Sequence, residues 1–318
     1  MYDIICVGSN AIDIFTNTEL KEKSHKHQRF IAYPSGSKIL IKDTKFTTGG
    51  GGTNTAVTFS RLGLNTGYLG KVGNDYFGNM VLEELKKEKI DFLGVRSKKK
   101  NSFSIVLDSK EHNRTILVFK GASSNLEFKE VKKSNLKTKW FYFSSQLKQS
   151  WQTQIKLVKF AKKQKIKVAF NPSQYLIKKQ NIKPILKNIE ILILNKDEAK
   201  LLTKKRDLLK ELYAMGPKIV CITNGKKGIT LYNGEYKYKL KPHKMKVKER
   251  TGAGDAFAST FVAAIIKNIS IEEALKIALT NSESVIRYYG AKNRLLNWHK
   301  LTNKIKKDKF KIKKIKWN

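Results

Sequence analysis

Cysteine is nearly missing from this 318-residue chain, with only Cys6 and Cys221 present. Each lies inside a short apolar run that reads as a buried strand. Their number and spacing exclude a disulfide framework and a cysteine-ligated metal site. Both are expected to be core thiols in a reducing compartment, with the protein cytoplasmic. Proline is scarce, at 5 residues, and glycine at 20 follows no Gly-x-y period, so a collagen-like chain is excluded. The 40% of apolar residues is too much for a disordered chain. No apolar stretch reaches the ~18 residues of a membrane span, and no membrane partner is expected. The opening run to Val7-Gly8 has no basic segment before it and soon meets Asn10 and Asp13, so it reads as a first strand rather than a signal peptide. No repeat appears at solenoid periods. At about 150 residues per domain, the length allows one large or two ordinary domains.

Acidic residues are also few: 26 Asp and Glu stand against 65 Lys and Arg, for a net charge of +39. Arginine is the rarer cation, at positions 29, 61, 96, 114, 206, 250, 287 and 294 only. Lysines run along nearly the whole chain, denser over 156–248 and 304–316. A dedicated nucleic-acid surface concentrates its charge, uses arginine forks and interleaves aromatics. Dispersed lysine reads instead as a compositional bias, and no specific nucleic-acid partner is expected. The field still attracts polyanions at low salt and favours anionic small substrates.

What is there is an alternation of strands and helices. Short apolar runs fall at Asp3–Val7, Thr66–Lys71, Trp140–Ser144, Val168–Asn171, Ile189–Asn195 and Ile219–Thr223. Between them, helical periodicity spans Asn54–Leu62, Asn79–Lys87, Trp151–Lys163, Lys196–Leu202 and Arg206–Met215. This pattern predicts βαβ units, hence an α/β fold with a doubly wound, mainly parallel sheet flanked by helices. Hairpin-like strands (Gly228–Tyr232, Glu235–Leu240) and two helices (Gly254–Lys267, Ile271–Tyr288) follow. Two stretches break the alternation with β-like segments at Lys38–Ile41, Ser102–Leu107 and Arg114–Phe119, separated by polar turns at Lys98–Asn101 and Lys110–Asn113. A small inserted sheet acting as a lid accounts for both. The expected division is a core of 1–12, 48–94 and 121–303, a β lid of 13–47 and 95–120, and a Lys-rich end, 304–318, that is either an edge strand or a tail.

The strongest chemical element is Glu249-Arg250-Thr251-Gly252-Ala253-Gly254-Asp255-Ala256-Phe257, which opens into an apolar helix. Small residues at a helix start expose unpaired N–H groups at the positive end of the helix dipole, which is an oxyanion or phosphate site. Asp255 stands there either as a base facing the anion or as a plain capping residue. A second element, Thr48-Gly49-Gly50-Gly51-Gly52-Thr53-Asn54-Thr55-Ala56, also runs into a helix. Its glycines admit close backbone approach, and Asn54 suits a polyol. No Gly-Lys-Ser/Thr follows, so it is not a Walker loop. Asn195-Lys196-Asp197-Glu198 follows an apolar strand, the place where open α/β sheets bind ligands. It suits a hydrated Mg²⁺ or, equally, a helix cap. Thr223-Asn224-Gly225-Lys226-Lys227-Gly228 is a strand-end turn able to face a nucleotide. Asp13 is placed to take two sugar hydroxyls or to stand exposed.

This constellation resembles the ribokinase-like (PfkB family) carbohydrate kinases. The resemblance runs from the first strand to about residue 296 and includes both family signatures. It implies transfer of the ATP γ-phosphoryl group to a sugar hydroxyl. Asp255 would be the base, with the Gly252, Ala253 and Gly254 amides as the anion hole. Asp13, Gly50, Gly51 and Asn54 would hold substrate, while Asn195, Thr223, Gly225, Gly228 and Asn281 would line the nucleotide site. Glu198 would order Mg²⁺ through water. Glu249 stands where members that need K⁺ carry an aspartate, which leaves K⁺ activation open. Arg250 beside it either adds a cation near the phosphates or faces solvent. Arg114 and Lys120 place positive charge close to the substrate. The inserted strands would be the family's lid, often a homodimer face. A nucleoside or sugar-phosphate acceptor, and a non-catalytic nucleic-acid-associated protein of the same fold, remain the alternatives.

Overall fold

The computed structural model describes every residue except 19, 26, 27, 111–113, 289, 309 and 318. The polar turn expected at Lys110–Asn113 therefore lies, from 111 onward, outside the described residues.

A ten-stranded sheet runs through the molecule in the order Ile312–Lys316, Tyr236–Leu240, Ile229–Tyr232, Ile219–Thr223, Ile191–Asn195, Lys167–Asn171, Thr138–Ser144, Tyr2–Val7, Thr66–Leu69 and Asp91–Phe92. The seven strands from Ile219–Thr223 to Asp91–Phe92 are parallel, and the last three in chain order add antiparallel. Side chains alternate between faces along each strand, and both faces are covered. Ile4, Cys6, Trp140 and Tyr142 join one core cluster, while Ile5, Val7, Phe141 and Phe143 join the other. That is why these strands read as unbroken apolar runs. Cys6 and Cys221 are free and fully buried.

The lid is a separate four-stranded sheet ordered Arg114–Phe119, Phe103–Asp108, Ala11–Asn17 and Asp43–Gly49. Its register sets Asp13 beside Ser104 on one side and Thr47 on the other, so the three share one face. The segment Lys38–Ile41, expected as a strand, is not one: it has no ladder partner, and Leu40 is left 84% exposed. A short pair, Glu22–His25 with Gln28–Ile31, takes its place within this insertion. At the other end, Ile312–Lys316 does form an edge strand, on Tyr236–Leu240. Among the described residues, no helix is long and apolar enough to cross a membrane.

Two helices bring the site together. Gly51–Arg61 and Ala253–Ile266 both begin above the carboxyl ends of the parallel strands and pack against one another. The chain leaves Tyr2–Val7 toward Thr66–Leu69 on one side, and later strands add through Thr138–Ser144 on the other. Such a reversal of strand order opens a crevice where ligands bind in sheets of this kind.

Candidate active site

A cavity of about 460 Å³ opens at this crevice, and residues from both glycine-rich elements, the lid and four strand ends line it. Asp13, Gly50, Gly51, Asn195, Glu198, Thr223, Gly252, Gly254 and Asp255 all face it. Residues scattered over 240 positions of sequence thus meet around one space.

Asp255 lies in the first turn of its helix. Asn54 Nδ2 donates to Asp255 Oδ2 at 2.9 Å, joining the two signatures directly. Burial pushes the Asp255 carboxyl from its ordinary 3.8 up to about 6, against the Asn54 hydrogen bond and the positive charge of Lys292. A carboxylate with such a value is still ionised at neutral pH, yet is a better proton acceptor than a solvated one. Gly252, just ahead, has φ +78°, and a Cβ there would lie 2.5 Å from Ala291 Cα, so only glycine fits this turn. Of the three residues expected to form an anion hole, two line the cavity. Ala253 N donates back to the Arg250 carbonyl at 3.2 Å, and Ala253 does not line the cavity, which leaves the Gly252 and Gly254 backbone there. Arg250 is itself exposed.

The other glycine run serves mainly close packing. A Cβ on Gly50 (φ +98°) would come within 2.6 Å of Asn10 Cα, and one on Gly52 within 2.6 Å of the Gly8 carbonyl carbon. Gly51 instead faces Ser144 and lies close to Asp255 Oδ1. Asp13 sits over Gly49, where a Cβ would be 2.2 Å from its Oδ2. Burial raises the Asp13 carboxyl, opposed by Ser104 and by the charges of Lys292, Lys120 and Arg114. Among the described residues, several buried polar atoms lining the cavity lack a hydrogen-bond partner: Asn10 Oδ1, Ser144 Oγ and both amide atoms of Gln146; Asn54 Oδ1, whose residue does not line it, lacks one too. Buried polar groups normally find partners, so these are matched to a ligand rich in hydrogen-bonding groups.

The remaining expected residues divide. Asn195 and Glu198 form a capping box, Asn195 Oδ1 accepting from Glu198 N and Glu198 Oε2 from Asn195 N, both at 2.8 Å. Glu198 Oε1 also accepts from Gln174 N at 3.1 Å, and burial raises this carboxyl. The cap and the cavity position coexist in these two residues. Thr223 lines the cavity, but Gly225 and Gly228 lie beyond it in the following turn, Gly228 against the Leu240 carbonyl. Asn281 is fully buried: its Nδ2 donates to Thr260 Oγ1 at 2.8 Å and its Oδ1 accepts from Leu296 N at 2.9 Å. That side chain is committed to holding two helices and the 295–296 turn. Glu249 is also buried, ion-paired with Arg114 of the lid and accepting from Thr251 Oγ1 at 2.6 Å.

Sequence reasoning missed several members. Ser144 ends the central strand Thr138–Ser144 and Gln146 lies two residues beyond, and a strand's carboxyl end was the available signal. Lys292, buried beneath the site, donates to Thr48 Oγ1 at 2.6 Å and pairs with Glu84. Nothing local in Gly290-Ala291-Lys292 announces it.

A doubly wound α/β core, a small separate β-sheet at one side and a buried carboxylate at a glycine-flanked helix start together describe the fold class and its site. Residues 2–298 match the pfkB family carbohydrate kinase model, and the chain belongs to that family. It is 25% identical to an ATP-dependent 6-phosphofructokinase of Thermoanaerobacterium thermosaccharolyticum, over 91% of this chain and 89% of that one. It is also 25% identical to a ribokinase of Lactococcus lactis, over 96% and 98%. Its fold is shared with a candidate ribokinase II from E. coli solved with ATP and Mg²⁺, at a TM-score of 0.81 and 17% identity over 97% and 100% of the two chains.

Proposed function

We propose that this chain transfers the γ-phosphoryl group of ATP to a hydroxyl of a sugar or sugar derivative. The observation that carries this reading is the Asn54–Asp255 hydrogen bond, which sets a raised-pKa carboxylate between the two glycine elements inside one cavity. Phosphoryl transfer asks a protein chiefly for in-line positioning and charge stabilisation. Asp255 takes the proton of the attacking hydroxyl, Asn54 fixes the carboxylate's direction, and Asp13 holds neighbouring hydroxyls from the lid. The Gly252 and Gly254 backbone at the positive helix end receives the charge of the transferring group. The lid excludes water, so the hydroxyl rather than a water is the acceptor.

ATP enters along the Asn195 and Thr223 strand ends. Mg²⁺, when bound with ATP, would supply neutralisation of phosphate charge. Glu198 would hold it through water: it lines the cavity, and each of its oxygens accepts one backbone N–H, which leaves further acceptor capacity. At Glu249 the Oε1 oxygen already answers both the Arg114 guanidinium and the Thr251 hydroxyl, so a monovalent cation would compete with a cationic side chain there, and no step runs through K⁺. The exposed lid strand Arg114–Phe119 leaves Ile116, Leu117, Val118 and Phe119 bare along an unpaired edge. This edge suits a second copy of the chain as a homodimer face. Sedimentation of wild type against Leu117→Lys tests this, with loss of a dimer as the expected outcome.

The direct test of the activity is ADP release from ATP with a panel of neutral sugars, sugar acids, sugar phosphates and nucleosides. Acceptor-dependent turnover is expected. Absence of turnover with every acceptor, together with retention on RNA at 0.2 M salt, an ionic strength at which non-specific lysine contacts weaken about tenfold or more, overturns the reading in favour of a non-catalytic role.

A further inference from the structure

Resting on the phosphotransfer reading above, we infer that the acceptor carries an anionic group, a carboxylate or a phosphate, away from its reacting hydroxyl, and that Lys120 and Gln146 bind it. Lys120 closes the lid strand Arg114–Phe119 and lines the cavity beside Asp13, Ser104, Ser123 and Ser124. Its position is fixed by the turn that follows. Ala122 N donates to the Lys100 carbonyl at 2.9 Å, and a Cβ on Gly121 would come within 2.2 Å of that same oxygen. The backbone at the lid's end is thereby pinned, which holds the partly solvent-exposed Lys120 at the rim of the cavity.

The other cations near the site are committed. Lys292 is held by Glu84 and Thr48, and Arg114 by Glu249. Lys120 has no carboxylate within ion-pair distance among the described residues, and Asp13 acts on it only as a nearby charge. Gln146 supplies the independent observation. It is 2% exposed, lines the same cavity, and neither its Nε2 nor its Oε1 has a partner. The Ser123–Ser124 turn lines the same cavity, and Ser150 Oγ ties it to the following helix by donating to the Ser123 carbonyl at 2.8 Å. An ammonium, an amide N–H₂ and serine hydroxyls lining one cavity form a donor set for oxyanions. An acceptor with no oxyanion there leaves the buried Gln146 amide N–H₂ unpaired, and unpaired buried donors are costly. Asp13 and Asp255 remain for hydroxyls, so the cavity sorts acceptor groups by charge along its length.

Two measurements test this. In the first, kcat and KM are determined for fructose, fructose 6-phosphate, and a six-carbon sugar acid, with wild type, Lys120→Gln and Lys120→Arg. Wild type is expected to favour one anionic acceptor over fructose by about a hundredfold in kcat/KM, and which one it favours separates phosphate from carboxylate. Lys120→Gln is expected to raise KM for that acceptor about 10- to 100-fold, the scale of a lost charge-assisted contact, with kcat changed far less, and Lys120→Arg to restore most of the loss. In the second, thermal shifts without ATP compare the same ligands on wild type and Lys120→Gln. Turnover highest on fructose, or an equal effect of Lys120→Gln on charged and neutral acceptors, overturns the inference and leaves the kinase reading intact. Lys120-dependent binding of an anionic sugar without any turnover does the reverse.

Discussion

Asp255→Asn separates the burial of this carboxylate from its chemistry, because the two act on different observables. An asparagine keeps an oxygen to accept from Asn54 Nδ2, so the 2.9 Å link between the two helices can persist. What disappears is a negative charge that burial disfavours, the cause of the carboxyl's rise from 3.8 to about 6. A shift of about two units corresponds to roughly 3 kcal/mol as an upper bound, and about 1–3 kcal/mol after allowance for its partial opening to the cavity. The sign follows from the raised value. Protonation favours the native state, so this contribution is present in full below the unfolded-state value and is lost as pH rises through 6. Wild type therefore loses stability on that climb and the asparagine variant does not. Urea melts from pH 3 to 8 are expected to show the variant gaining on wild type as pH rises from about 4 and levelling off above about 6.5, with the smallest gap at the acid end. Over the same range the wild-type kcat is expected to rise through about pH 6 as the base ionises, while the variant's kcat falls by roughly 10²–10⁴ and loses that limb. A stability gap flat with pH, or turnover close to wild type, refutes the reasoning.

Three further outcomes follow from the same geometry. Arg114→Ala leaves Glu249 buried without its cation. Because Arg114 is itself 32% exposed, the expected loss is about 1–3 kcal/mol rather than the larger cost of a fully buried pair, and Glu249→Gln in the same chain should recover much of it in urea melts. Gly252→Ala forces a side chain into a left-handed turn and against Ala291, so a loss of about 2 kcal/mol or more is expected, with turnover falling at least tenfold as the anion cradle shifts. Initial rates in KCl and NaCl at matched ionic strength are expected to coincide, and clear activation by K⁺ alone would show that Arg114 does not occupy the role of a cation at Glu249.

What could be read from the sequence was what is local. The two glycine elements each contain their own reason for being where they are, a tight turn leading into a helix, and each proved to open on the cavity. Strands buried on both faces announced themselves as apolar runs, and helix starts were legible within a few residues: Lys196–Leu202 was found with its bounds. The helix Trp298–Lys306 was overlooked even though Asn297 caps it by accepting from Lys300 N, because its lysines mask the apolar stripe. Pairings between distant residues left no local trace. Glu249 meets Arg114 from 135 positions away, and Lys292 reaches Glu84 from 208. Asn281 shows the converse: a polar residue on a helix near the site has its amide turned inward to Thr260, a choice made by packing rather than by sequence pattern. The segment Lys38–Ile41 has β-forming residues but no neighbouring strand to receive them, and a strand is defined by its partner.

The strand Ile312–Lys316 also governs how the molecule treats its neighbours. Lys314 lies 4.4 Å above the Tyr236 ring and bonds Glu272 at 2.9 Å, so the outermost ladder presents cations where a foreign strand would otherwise dock. Stripping it away would bare Tyr236–Leu240 as a tyrosine-bearing border with open amides and carbonyls. The lysine surplus, whatever drove it in composition, thus works here as a guard against fibre-like stacking, and a trimmed chain should be harder to keep in solution than the whole one.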